Sequence, residues 1–552
     1  MAKTGISRRK FLGASAGALA VPSIPFAANS QTNGGSGGTS TSGRPNVLFI
    51  MSDDLCTRLG PYRHPVVRTP NFDRLARMGV TFNHAYCQYP LCSPARTALM
   101  TGLAPDTTKI YDLGTHFRTT VPDAVTLPQA FINSGYFSAR AGKIYHYQNP
   151  TGIGTSGLDD SASWHETINP GGIDHTKEEQ FITMYTPQGG RGQGAGRGQF
   201  ARGGRGAGGA EGEGFDGANP PFAKVPGPER LGGSICGYPS PSKPELHTDS
   251  LVADAIIEAM QKHRNDPWFL GAGFYKPHVP WVVPSKFYDM YPLSSVDVIP
   301  FRDSEMQVAP RWAYTSMDPN HGMSEQQQRE AIRAYYAALT FVDANLGRLI
   351  DAVEHLGFAR NTIIVFASDH GWCLGEHGQW EKQMLFEQSA RVPFFIGGHG
   401  VQAAGRVCQR TVEHLDIYPT LVEMCGLQGA QANLQGQSLA PLLTNPDGVR
   451  ERPAASQVLR GGQGGNRVMG YSIRTEQYRY TYWSGGTQGE NEELYDYNSD
   501  PNELQNLAKT LGVASVKAQL RNQLEQISMS RGMPNSFAVA TANSSELGGS
   551  SA

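Results

Sequence analysis

The sequence predicts an α/β chain, with helices flanking a large, mainly parallel sheet and a small C-terminal α+β subdomain after it. Three observations carry that expectation. Asn46-Val47-Leu48-Phe49-Ile50-Met51 and Thr362-Ile363-Ile364-Val365-Phe366-Ala367 are continuous apolar runs, the pattern of strands buried on both faces. From Glu325 to Leu356 apolar residues recur at helical spacing, with Ala331, Tyr335, Leu339, Val342, Leu346, Leu349 and Val353 on one broad stripe. Near the end, Tyr471-Ser472-Ile473-Arg474 and Tyr478-Arg479-Tyr480-Thr481-Tyr482-Trp483 read as antiparallel strands, with Glu493-Leu494-Tyr495-Asp496 and a helix near 513–528 after them.

Each segment has its own reason. Ser7-Arg8-Arg9-Lys10-Phe11-Leu12, a short Ala/Gly-rich stretch and Pro25-Phe26-Ala27-Ala28 form a signal segment over 1–28, similar to the twin-arginine (Tat) type. Gly, Ser, Thr and Asn over 29–43 suit a flexible linker. A catalytic domain is expected over 44–425. Within it Trp268 to Phe274 is a third buried strand behind a helix near 249–263. Ser324 and Gly357 suit the N-cap and C′ positions of the long helix. Residues 188–218 are too rich in Gly and too poor in apolar groups to order, and read as a disordered insertion. Connecting loops are expected over 426–470, the subdomain over 471–530 and a disordered tail over 531–552.

The 552 residues hold 47 Lys and Arg against 49 Asp and Glu. Lys3, Arg8, Arg9 and Lys10 are the only charges in the first forty-three residues, so the remainder is more acidic than the whole. That balance gives no reason to expect nucleic acid as partner. No stretch is long and apolar enough for stable membrane insertion. The 7 cysteines follow no zinc-site spacing, and one pair among Cys56, Cys87, Cys236, Cys373, Cys408 and Cys425 is possible after export.

Candidate chemistry gathers around Cys92-Ser93-Pro94-Ala95-Arg96. Pro94 has no N–H and a fixed φ, so it fits a first helical turn. Cys92 then lies at a helix N-terminus, where free N–H groups attract an anion. Arg96, one turn on, shares its face. Asp53-Asp54 and Asp369-His370 each directly follow a buried strand, and in open α/β sheets sites form beyond carboxyl strand ends. Three gathered carboxylates call for a divalent cation, and oxygen donors favour Ca²⁺ or Mg²⁺ over zinc. Lys143 and His146 follow Gly142, His278 stands between Pro277 and Pro280, and Lys382 closes Gly375 to Lys382. Fixed cations suit an anionic ester, and a histidine can protonate a departing alcohol near neutral pH.

These stretches, with Pro105-Asp106-Thr107-Thr108 and Leu494-Tyr495-Asp496 to Asn506-Leu507, resemble the iduronate-2-sulfatase branch of the type I sulfatases. The resemblance runs from about Arg44 to about Leu520. It implies an alkaline-phosphatase-like sandwich and hydrolysis of a sulfate ester, on a sulfated sugar or uronic acid of a polysaccharide-derived oligosaccharide. It further implies that Cys92 is oxidised to formylglycine, whose hydrate is the nucleophile. Asp53, Asp54, Asp369, His370 and the converted Cys92 would bind Ca²⁺. Arg96 and Lys143 would hold the hydrate and sulfate, His146 would orient a hydrate hydroxyl, and His278 and Lys382 would grip the ester and its leaving oxygen. Partners implied are a formylglycine-generating or maturase enzyme and the Tat machinery, with a periplasmic or secreted location. Ala95 departs from the usual serine and Leu103-Ala104 from a common arginine; His370 stands where many sulfatases have asparagine, but the iduronate-2-sulfatase branch has histidine there. Two other readings stay open: a phosphatase or phosphonate monoester hydrolase of the same superfamily, and an inactive sugar-binding relative. Substrate choice is assigned to loops around 110–120, 147–175 and 285–320.

Overall fold

The computed structural model describes residues 43–176, 182–185, 223–224, 235–461, 467–485 and 491–533. The signal segment, nearly all of the linker, the Gly/Arg-rich insertion and residues 534–552 lie outside them. Gly43 onward forms one compact unit.

Its centre is an eight-stranded sheet. The strands are β1 (Asn46–Asp53), β2 (Gly79–Tyr86), β3 (Phe137–Gly142), β4 (Glu166–Ile168), β5 (Trp268–Pro277), β6 (Thr362–Ser368), β7 (Arg391–Gly398) and β8 (Val407–Glu413). They lie in the order β8-β2-β7-β6-β1-β5-β3-β4. Only β7 runs antiparallel to its neighbours, so the mainly parallel expectation holds. Every residue of β1, β5 and β6 is buried, which is why those segments read as unbroken apolar runs rather than alternating ones.

Four helices matter to the site: α1 (Cys92–Thr101), α2 (Thr248–Lys262), α3 (Glu325–His355) and α4 (Ala514–Ser530). Ser324 caps α3 as expected, its hydroxyl accepting from Gln327 N while the Gln327 side chain returns to Ser324 N. Gly357 follows α3 with φ +84°, a left-handed conformation that glycine adopts without steric cost. Among the described residues no helix is long and apolar enough to cross a membrane. Among the described residues Cys56, Cys87, Cys92, Cys373, Cys408 and Cys425 are thiols outside any disulfide.

The C-terminal part is a separate four-stranded antiparallel sheet with α4 packed on it. Two expectations need correction here. Residues 426–470 are not all loop, because β9 (Ala454–Gly461) and the start of β10 (Arg467–Arg474) are strands. β9 pairs with β10 across its full length, and β11 (Tyr478–Trp483) and β12 (Glu492–Asp496) complete the sheet. The tail, moreover, does not begin at 531. Arg531 is buried and donates to Glu413 through both terminal nitrogens, at 2.8 and 2.6 Å, and Met533 packs into the apolar cluster under α4.

Breaking a buried ion pair strands the remaining charge, which costs about 3–5 kcal/mol. A chain ended after Ser530 should lose stability of about 3 kcal/mol, since Arg452, with Nε 3.7 Å from Glu413, remains as a weaker partner. A chain ended after Met533 should unfold like the full one. Denaturant unfolding of the two distinguishes them, and equal midpoints would show that Arg531 carries no weight.

Candidate active site

β1 and β6 are neighbours in parallel register, Ser52 opposite Ser368. Their carboxyl ends therefore deliver Asp53-Asp54 and Asp369-His370 side by side. Asp54 turns the chain with φ +65°, a conformation that aspartate tolerates better than most residues. The turn is fixed by Asp54 N donating to Asp369 Oδ1 (3.0 Å) and Leu55 N to Ser368 Oγ (2.9 Å). From α3, Tyr335 hydroxyl donates to Asp54 O (2.6 Å) and accepts from Cys56 N (2.9 Å).

α1 enters this cluster with its N-terminus, and all of its residues are buried. Leu91 occupies the N-cap and no side chain caps it, so the first N–H groups are left for a ligand. Cys92 Sγ lies 3.3 Å from His370 Nε2, 3.3 Å from Lys382 Nζ and 3.9 Å from Asp54 Oδ1. Arg96 projects one turn deeper. Its Nε donates to Asp369 Oδ2 (2.9 Å), one terminal nitrogen to Asp53 Oδ1 (3.0 Å), and the other to Lys143 O and Ile144 O. Most of its donors are thus spent on organising the acidic set.

β5 and β3 supply the other flank. Gly142 closes β3 with φ +73°, and a Cβ there would meet Gly273 O at 2.2 Å, so only glycine allows the turn into Lys143. Lys143 Nζ donates to Asp53 Oδ2. His146 is buried with neither ring nitrogen partnered. After β5, His278 Nδ1 donates to Val279 O (2.6 Å), which leaves Nε2 3.7 Å from Asp54 Oδ2. Lys382 follows a two-stranded ribbon, Cys373–Leu374 with Trp380–Glu381, and donates to Asp54 Oδ1 (2.7 Å) and Oδ2 (3.0 Å).

The electrostatics follow from that geometry. Burial pushes Asp53 upward, yet Lys143 and Arg96 outweigh it and hold the carboxyl well below its usual range. Asp54 goes the other way. Burial, with repulsion from Asp53 and Asp369, drives it well up despite Lys382. Burial and the cation Lys143 keep His146 neutral, and burial and Lys382 do the same for His278. His370 falls to about 4, chiefly through burial. The Cys92 thiol is pushed well up, by burial and then by Asp53.

A divalent cation fits this donor set. Ligand atoms of Asp54, Cys92, Asp369 and His370 lie within 4.8 Å of one another, as do those of Asp53, Asp54, Cys92 and His278. His370 donates Nδ1–H to Gly371 O (3.0 Å), so the lone pair on Nε2 faces Asp54 Oδ1 at 3.2 Å. A lone pair set against a carboxylate oxygen is repulsive unless a proton or a metal cation lies between them, and the raised Asp54 suits either. Every residue singled out in the sequence thus falls in one cluster. Tyr335, Ser52 and Ser368 were missed. Ser52 Oγ donates to Lys276 O (2.6 Å), tying β1 to the turn that carries His278.

The family model described as Sulfatase matches residues 45–427, and that for N-sulphoglucosamine sulphohydrolase, C-terminal, matches residues 375–530. A sulfatase of Formosa agariphila is 32% identical over 479 residues, covering 84% of this chain and 83% of that protein. The iduronate 2-sulfatase of Mus musculus is 29% identical over 547 residues, covering 84% and 91%. Among solved structures, the phosphonate monoester hydrolase of Agrobacterium radiobacter superposes with a TM-score of 0.67 at 22% identity, covering 88% of this chain and 96% of that one. At that identity the likeness speaks for the shared fold alone. The family model spans most of the chain and the Formosa relative spans most of both lengths, so this chain belongs to the sulfatase family.

Proposed function

We propose that this protein is an exported sulfatase that hydrolyses a sulfate ester on a sulfated sugar or uronic acid, using formylglycine made from Cys92 and a divalent ion. The observation that carries the reading is the placement of Cys92. It stands at the uncapped N-terminus of a buried helix, among Asp53, Asp54 and Asp369 on one side and Lys143, Arg96 and Lys382 on the other. With Asp54 ionised, as it would be on a bound ion, the three carboxylates and three cations balance one to one. A divalent ion added to a balanced site leaves net positive charge, and that draws in a sulfate ester.

Once formed, the formylglycine hydrate would supply an oxygen nucleophile toward sulfur; as that S–O bond forms the ester S–O bond breaks and the alcohol leaves, and loss of the other hydroxyl's proton then expels sulfate and restores the aldehyde. Asp53, Asp54, Asp369 and His370 would hold the ion, Ca²⁺ or Mg²⁺, which supplies charge for the ester oxygens. Arg96 locks Asp53 and Asp369 in place, and Lys143 lies against the same carboxyl of Asp53. His146, buried and unpartnered, is free to take a proton from a hydrate hydroxyl. Lys382, the cation nearest Cys92 Sγ, gives its hydrogen bond to the leaving oxygen, with His278 Nε2 beside it. The relatives include an iduronate 2-sulfatase, a choline-sulfatase and an N-acetylglucosamine-6-O-sulfatase. Two of these three are named for sulfated sugars, and that favours a sugar ester here.

Expressed with a formylglycine-generating partner, the peptide containing Cys92 should show the aldehyde mass, and Cys92→Ala should lower turnover by about 10³-fold or more. Intact thiol in a fully active enzyme would refute the mechanism. Sulfate and phosphate esters of one phenol separate this reading from a phosphatase or phosphonate hydrolase, since the sulfate should turn over faster. Chelation should abolish turnover and lower the melting temperature, both restored by Ca²⁺ or Mg²⁺, because a ligand bound only to the folded state stabilises it. A chelator without effect on either would remove the ion from the proposal.

A further inference from the structure

We propose that Arg460 is a positioning residue for Lys382, acting from a strand of the C-terminal sheet. This rests on the reading of Lys382 as the group that assists the leaving oxygen. Lys382 stands between Glu381 and Gln383, with φ +71° and +70°, and neither is glycine. Side chains avoid that conformation, so something must hold the backbone there. Gln383 is held at both ends. Its N–H donates to Pro90 O (2.9 Å), and its carbonyl accepts from a terminal nitrogen of Arg460. Arg460 Nε donates to Trp312 O (3.0 Å), and its guanidinium lies over the Trp483 ring, 5.7 Å from the centroid.

Arg460 forms no ion pair among the described residues. A half-buried guanidinium without a carboxylate is an unfavourable charge to keep, and burial drops its pKa to about 10. Its partners are instead two backbone carbonyls and an aromatic face, a set that fixes direction rather than charge. The strand that carries it, β9, also runs along the segment leading into Cys92. Ser456 Oγ donates to Cys87 O (2.5 Å), Gln457 N to Gln88 O (2.8 Å) and Leu459 N to Tyr89 hydroxyl (2.8 Å). One rigid strand thereby references both Cys92 and the Lys382 turn, and so sets their separation. Through Trp312 it also ties that turn to the 285–320 segment.

The test compares Arg460→Met, Arg460→Lys, Lys382→Ala and the Arg460→Met/Lys382→Ala double variant in the full, Cys92-converted chain. The probes are 4-nitrophenyl sulfate, whose leaving group departs readily, and phenyl sulfate, whose leaving oxygen needs help. Loss of help at the leaving oxygen should cost phenyl sulfate about tenfold more in kcat than 4-nitrophenyl sulfate, for Lys382→Ala and in the same direction for Arg460→Met. Arg460→Lys should restore part of the loss, and the double variant should be no worse than Lys382→Ala. Equal losses on both esters for Arg460→Met, or losses that add in full to those of Lys382→Ala, would overturn the assignment. Should Arg460→Met not fold, Arg460→Lys must show a smaller form of the same discrimination or the assignment falls. If Lys382→Ala itself treats the two esters alike, the reading of Lys382 is the part that fails, and Arg460 loses its role with it.

Discussion

Asp53, Asp54 and Asp369 would repel one another strongly if left alone. Two unit charges about 4 Å apart interact by about 4 kcal/mol even at an effective dielectric of about 20. The parallel register of β1 and β6 nonetheless forces these carboxyls together. The surrounding structure meets that constraint with Arg96 from a helix, Lys143 from the end of β3 and Lys382 from a ribbon beyond β6. Each cation comes from a different element, so the elements must all be in place before the acids can sit together. The opposite shifts of Asp53 and Asp54 express the same constraint. Asp53 faces two cations and stays ionised, whereas Asp54 faces one cation and two carboxylates.

Much of this was legible in the chain because it depends on short-range pattern. Unbroken apolar runs mark strands buried on both faces, and the acids that end them mark the site edge. Pro94 and the spacing of Cys92 and Arg96 announce a helix start, and Ser324 announces another. What could not be read depends on contacts between distant segments. Tyr335 sits on the apolar stripe of α3, and nothing local distinguishes it from a packing tyrosine. Its hydroxyl matters only because β1 ends beneath it. The resemblance makes Arg96 a holder of the hydrate and sulfate, yet its donors are largely taken by Asp53, Asp369 and two carbonyls.

β9 is the clearest such case. Ala454-Ala455-Ser456-Gln457-Val458-Leu459-Arg460-Gly461 has few β-branched or aromatic residues and no clean alternation, so by propensity it reads as loop. It becomes a strand because β10 pairs along one edge and residues 87–89 take hydrogen bonds from the other. The same sheet reaches the catalytic domain elsewhere. Asp106 accepts from Tyr111 (2.7 Å), Tyr471 (2.8 Å) and Gln457 (2.9 Å), and Arg479 donates to Leu385 O in the segment after Lys382. The C-terminal sheet is therefore hydrogen-bonded to the segments that flank Cys92 and Lys382 rather than an appendage.

The sulfur of Cys92 is the one soft atom in this surrounding. Its neighbours are carboxylate oxygens and an imidazole nitrogen, donors suited to a harder cation, together with the ammonium of Lys382. A thiol there is also held protonated by burial and by Asp53. Without an ion it is neither a thiolate nucleophile nor a good match for Ca²⁺ or Mg²⁺. Oxidation to an aldehyde, hydrated in place, would exchange that sulfur for oxygens and leave carboxylate and hydroxyl oxygens beside the His370 nitrogen as the donors. The mismatch between that soft atom and its hard surroundings is a physical argument, independent of the motif, for the conversion of Cys92 proposed above.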